Sequence, residues 1–190
     1  MWGKGMARQQ QYALMGRYNR DMNQRLYAAA ANLSEDQLAD NVGAFFQSIV
    51  GTLNHLYVAD IMWLQRFAKR QFAAAGCLAE IAVMASPTSL NQVIYEDFDD
   101  LLRARRALDA QICQWSEALT EDCFDQPFVY KNSKGHDFCK PFGLVLQHFF
   151  NHQTHHRGQV TTLLSQQGVD VGVTDLLLWI EELPLYGAAE

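Results

Sequence analysis

The stretch Phe142 to Gln167, "FGLVLQHFFNHQTHHRGQVTTLLSQQ", carries the strongest single signal in the sequence. Phe142, Val145, Phe149, Val160 and Leu163 recur at the spacing of an amphipathic helix, and Gly168 follows as a natural helix-ending residue. The chain has six histidines, and four of them, His148, His152, His155 and His156, fall inside this segment. Each residue advances about 100° around a helix of roughly 3.6 residues per turn. With His148 at zero, the apolar residues lie between about 60° and about 120°, with His156 near ~80° and His152 near ~40°. His148 and His155 fall near ~0° and about −20°, off the apolar stripe. The pair His152 and His156 therefore faces inward, and His148 and His155 are rim positions.

Working outward, Gln9 to Ala31 spaces Tyr12, Leu14, Met15, Tyr18, Met22, Leu26 and Tyr27 close to i, i+3, i+4. Ser34 and Gln37 make a capping-box pattern for a short helix. A second long helix is predicted over Ala44 to Lys69 and a third over Asn91 to Leu119. The acidic start and basic continuation of the third suit the helix macrodipole. The nearly uncharged segment Arg70 to Ser89 reads as loop with some helix. Between Pro127 and Pro141, the β-prone runs Phe128 to Tyr130 and Asp137 to Cys139 flank Asn132-Ser133-Lys134-Gly135, which predicts a small β-hairpin. Thr174 is placed to cap a last short helix, Asp175 to Glu182, closed by Pro184. The expected fold is all-α: a four-helix bundle with a small β-hairpin before the last long helix and a short C-terminal helix. At 190 residues one domain, 1–190, is expected.

Hydrophobic residues at 49% and charged residues at 19% match a chain that buries a core. The formal net charge of −6 argues against a nucleic-acid partner, because neutralising phosphates needs clustered Lys and Arg. The densest basic run, Arg103, Arg105 and Arg106, sits near Asp97, Asp99 and Asp100 and reads as a solvated helix face. Cys77, Cys113, Cys123 and Cys139 form no C-x-x-C pair and suit reduced thiols of a cytoplasmic protein. The start, "MWGKGMARQQQ", lacks the apolar core of a signal peptide. No apolar run approaches the roughly 18–20 residues of a membrane span, so no membrane association is expected. A homodimer through exposed helix faces suits such bundles, although no patch in the sequence defines one.

An i, i+4 histidine pair on one helix face can chelate a divalent ion. Two buried neutral imidazoles with nothing to bind leave polar nitrogens unsatisfied, at roughly 1–3 kcal/mol each. The alternative is that each histidine hydrogen-bonds within the core or faces water. A further ligand is required. His136 falls in the hairpin, where a histidine is usually at the surface. His55 lies mid-helix, away from the apolar face of Leu53, Leu56, Leu64 and Phe67, among Ser48, Thr52, Ala59 and Met62. Such a face lines a cavity or lets another helix approach, and the helical wheel leaves the choice open.

"HFFNHQTHHRGQV" (148–160) resembles the signature of the DinB/YfiT-like superfamily, helix bundles with a three-histidine metal site. "YNRDMNQRLYAAAANLSEDQL" (18–38) is similar to that family's first helix and the segment after it. "FFQSIVGTLNHLYVADIMWLQRF" (45–67) resembles its second helix, and the hairpin and the "TDLLLWIEE" tail also correspond. The resemblance implies that His55, His152 and His156 are metal ligands, that His148 and His155 lie around them, and that Arg157 is an ion-pairing structural residue. It also implies metal-dependent chemistry. Characterised relatives include S-transferases and isomerases that use low-molecular-weight thiols such as bacillithiol or mycothiol.

Three neutral histidines leave coordination positions open for water or substrate. A bound ion could lower the pKa of water for hydrolysis or hold a thiol as thiolate for transfer. Where H-E-x-x-H metalloproteases place a glutamate base, this chain has Gln153, and no carboxylate occurs between Cys139 and Asp170. A base would have to come from another helix, with Asp60 and Glu96 as candidates. Thiolate formation needs none, since the metal deprotonates the sulfur. The leading expectation is a metal-dependent enzyme of the low-molecular-weight-thiol S-transferase type acting on a small molecule, with Gln159 or Asn151 orienting a ligand or substrate. A metal-dependent hydrolase and a non-enzymatic metal- or ligand-binding protein are the alternatives. Imidazole donors suit zinc, nickel, iron and copper, with zinc or nickel the first expectation and iron next.

Overall fold

The computed structural model describes residues 7–132 and 134–182. Four long helices form the bundle: α1 (Arg8–Ala30), α3 (Ile49–Ala68), α5 (Phe98–Ala118) and α6 (Phe142–Gln166), with short helices α2 (Glu35–Ala39) and α4 (Ala79–Ala82) between them. A hairpin of β1 (Pro127–Lys131) and β2 (Asp137–Pro141) precedes α6, with Val129 opposite Cys139 at the centre of its antiparallel register. α1 packs along α5 and α6, and α3 packs along α6.

Local chemistry sets the boundaries. Ser34 accepts from the Gln37 amide while the Gln37 side chain accepts from the Ser34 amide, which closes the capping box of α2. α6 ends as its sequence indicates. Gly168 takes φ 75°, its N–H reaches the Ser165 carbonyl, and the Val169 N–H reaches the Leu164 carbonyl.

Three boundaries differ from expectation. α3 begins at Ile49, not Ala44, because residues 42–47 fold back on themselves: Gln47 adopts φ 69°, and its carbonyl accepts from Val42. Ser48 then caps the helix by accepting from the Gly51 amide. α5 begins at Phe98, not Asn91, with Asp97 as its cap. The Asn54 side chain holds the preceding segment off the helical path by accepting from the Ile94 and Tyr95 amides and donating to the Tyr95 carbonyl. The C-terminal element is a short 3-10 turn, Leu176–Trp179, rather than a helix over Asp175 to Glu182. Thr174 does not cap it by side chain; its carbonyl accepts from Tyr18, and Trp179 donates to Asp21, so the tail is tied to α1. The expected stop at Pro184 lies outside the described residues.

The lower core is aromatic. Phe67 packs against Trp115, Phe128, Phe142 and Phe149, and the Trp115 indole N–H donates to the Ala73 carbonyl. Each such side chain, fully buried, stabilises the fold by about 1.5–3 kcal/mol. Above this layer a polar network crosses the bundle. Arg105 donates to Asp60 at 2.6 Å and to Asp109 at 2.7 Å, and Asn23 of α1 donates to Asp109. Arg105 is therefore not on a solvated face; it is 2% exposed. It shares the inner stripe of α5 with Leu101, Leu108 and Ile112, an i, i+4, i+7, i+11 pattern that overrides its charge.

Candidate metal centre

α3 and α6 bring His55, His152 and His156 together; α6 contributes both members of its i, i+4 pair. Their Nε2 atoms converge: His55 lies 3.1 Å from His156 and 3.3 Å from His152. One ligand atom from each lies within 4.8 Å of the others, and this is a group that can hold a metal ion. His55 and His156 are buried and His152 half-buried. Phe46 stacks on the His55 ring at 3.8 Å between centroids and meets His156 edge-on, so it covers one side of the cluster.

The surrounding hydrogen bonds fix which nitrogen is free. His55 Nδ1 lies 2.8 Å from the Leu90 carbonyl, which can only accept, so Nδ1 carries the proton and Nε2 presents a lone pair. His156 Nδ1 lies 2.7 Å from Gln159 Oε1, with the same consequence. That amide orientation is assigned from its other end, where Gln159 Nε2 faces His155 Nε2 at 3.4 Å. The lone pairs of His55 and His156 thus point at each other with no proton between them. Burial lowers the pKa of His55 to about 4, and burial with the neighbouring imidazoles lowers that of His152 to about 3. Neither ring takes up a second proton at neutral pH, so both stay uncharged. Converging neutral acceptors repel unless a cation lies among them, so the donor set fits a divalent ion.

Around the cluster, His148 is exposed and packs edge-on against Trp63, His155 is exposed beside Gln159, and Asn151 is exposed. His136 is an exposed turn residue whose amide donates to Asn132. Arg157 is buried, and hydrogen bonds to Asn19 and Thr154 hold it, with the Tyr18 ring beneath; among the described residues no carboxylate makes the expected ion pair with it.

The sequence profile of the DinB family matches residues 6–183. The chain belongs to the DinB family. It is 26% identical over 163 residues to Protein DinB of Bacillus subtilis (strain 168), an alignment covering 86% of this chain and 90% of that protein. No solved structure gives a significant match.

In this DinB-family chain two supporting residues had no signal in the sequence. Phe46 looked helical among "AFFQSIV", yet it comes to His55 from a loop. Leu90 acts through its backbone, which any residue could supply. Both proposed bases are engaged elsewhere. Asp60 is 1% exposed and accepts from Arg105 on one oxygen and from Gln153 on the other. Glu96 lines a separate acidic cleft with Glu35, Asp36 and Asp97. No helix among the described residues is long and apolar enough to cross a membrane.

Proposed function

We propose that this chain is a metal-dependent enzyme that joins a low-molecular-weight thiol to an electrophilic small molecule, with His55, His152 and His156 holding a divalent cation. The observation that carries this reading is the composition of the cluster: among the described residues it consists of histidines alone. A three-histidine site keeps coordination positions open. A cation there would supply Lewis acidity, lowering the pKa of a thiol presented to it.

The chain's own residues do the rest. The Leu90 carbonyl and Gln159 hold the proton of each imidazole on Nδ1 and keep Nε2 directed inward. Phe46 shields the cluster from water on one side. Hydrolysis is favoured by a carboxylate base beside the attacking water. Here the residue after His152 is Gln153, buried and donating to Asp60 rather than facing the cluster's open side. In transfer, sulfur forms a bond to carbon, the leaving group departs with its bonding pair, and the thiol proton passes to solvent. No protein base is required.

The test uses zinc-loaded protein with a panel of small thiols and 1-chloro-2,4-dinitrobenzene, alongside ester and amide substrates. Thioether formation with release of chloride, lost in His152→Ala, is the expected result. Turnover of esters or amides alone would replace this reading with hydrolysis. Bound metal with no turnover on any of them would make the protein a binding protein.

A further inference from the structure

A cleft of about 350 Å³ opens beside His152, between α3, the hairpin and α6. That volume falls within the range of small-molecule sites. Its walls include Trp63 and Arg66 of α3, Tyr130 and Phe138 of the hairpin, and Asn132 of the turn. A second cleft of about 450 Å³ shares Trp63 and Tyr130 with it and adds Lys140. Among the described residues neither is lined by an aspartate or glutamate, although the chain carries 21 acidic residues and a net charge of −6. The surface beside the histidines is thus the reverse of the chain's average charge.

In the cleft beside His152, Arg66 is the source of that reversal. Arg8, Arg17, Arg20, Arg103 and Arg105 each pair with a carboxylate. Arg66 has no carboxylate within ion-pairing distance and no hydrogen-bond acceptor among the described residues. Its guanidinium lies 4.7 Å from the centroid of Trp63 and 5.7 Å from that of Tyr130, and two ring faces hold it at the cleft wall. Partial burial pushes its pKa down, the sign of a cation that has given up water without gaining a partner. Asn132 adds a donor: its side-chain oxygen already accepts from the Lys134 and His136 amides, so its NH2 is what it can offer.

We propose that this cleft binds a carboxylate-bearing small molecule, the Arg66 guanidinium pairing with the carboxylate and the rings of Trp63, Tyr130 and Phe138 packing on its body, with the other end toward His152. A planar fork of N–H donors matches a carboxylate in two parallel hydrogen bonds. This inference deepens the proposed function and rests on it only for which end of the molecule reacts. The carboxylate's place depends on Arg66 and not on a metal ion.

The test is binding, followed by fluorine NMR and calorimetry, of 4-fluorophenylacetate and its neutral isostere 4-fluorophenylacetamide to the full chain, with and without added zinc. The acid is expected to bind at least about tenfold more tightly than the amide, the scale of one charge-assisted pair. Arg66→Met should remove that preference while leaving amide binding unchanged, which shows that the cleft is intact; Arg66→Lys should retain part of it. The preference should be the same without zinc. A chain that retains no zinc yet keeps an Arg66-dependent preference would sink the metal reading and support this one. Equal binding of acid and amide, no binding of the acid, or a preference that survives Arg66→Met or exists only with zinc would each overturn the proposal.

Discussion

Gln153, between His152 and His156 in sequence, donates its side-chain N–H to Asp60, which lies five residues after His55. The turn of α6 that carries two of the clustered histidines is thereby tied to the turn of α3 that follows the third. The other Asp60 oxygen accepts from Arg105, itself 2% exposed. Asp60→Ala leaves Arg105 with half of its compensation in a site that water does not reach. Removing one partner of a buried pair costs about 3–5 kcal/mol, and in a domain of this size that corresponds to a fall in Tm of roughly 10 °C. Thermal denaturation followed by circular dichroism checks this; a shift of a degree or two would show that the network contributes little.

Gln159 holds the His156 proton on Nδ1. Gln159→Leu removes the acceptor at a half-buried position without touching the core, so the fold should persist. Loss of such an orienting partner typically costs about 10–100-fold in metal affinity. Competition against a chromophoric zinc chelator measures it. An unchanged affinity would mean that the His156 tautomer is set in some other way.

Gly51 lies where α3 passes under the Phe46 loop. A Cβ there would meet the Phe46 carbonyl oxygen, a backbone atom that no rotamer change can move aside. Gly51→Ala should therefore displace Phe46 from the His55 ring and cost about 1–3 kcal/mol, the usual range for overpacking. The expected signature is a loss of stability together with a changed His55 imidazole resonance. A shift in stability alone would separate the loop from the site.

The folded-state pKa of His55 is lowered to about 4 and that of His152 to about 3. An unfolded histidine titrates near ~6.5. Between these values the unfolded chain binds more protons than the folded one. The contribution of these neutral rings to stability is therefore fully present above about pH 6.5 and is lost as pH falls through that value toward about 4 for His55 and about 3 for His152. The metal-free protein should become progressively less stable over this window, and His152→Ala should flatten the curve. Protons should also compete poorly for the site, leaving metal affinity nearly constant from about pH 7 down to ~5.5. A tenfold loss over that last interval would indicate ordinary, solvated imidazoles.

How much of this was legible in the sequence depends on how far each determinant lies along the chain. The phase of α6 was legible because its apolar stripe is narrow enough to divide His152 and His156 from His148 and His155. α3 offers no such stripe. Thr52 to Ile61 is buried without interruption, so a wheel cannot say where His55 points, and only the resemblance to known sequences singled it out. α3 and α5 start later than their periodicity indicates because the features that fix them are a positive φ at Gln47 and the capture of residues 94 and 95 by Asn54, about forty residues away. Arg105 departs from the sequence expectation for another reason. Arg103 and Arg106 beside it in sequence are charged, whereas its neighbours on the helix face, Leu101, Leu108 and Ile112, are buried.

The proposed site gathers His55, His152 and His156 around one divalent ion. Elemental analysis of protein purified without an affinity tag, repeated on His55→Ala, His152→Ala and His156→Ala chains that retain the native circular dichroism spectrum, tests it most directly. The native chain is expected to carry about one equivalent of zinc, nickel or iron, and each variant to lose at least about tenfold in retained metal. Native protein without metal that also fails to take up any of these ions on addition, or variants that keep the native stoichiometry, would contradict it.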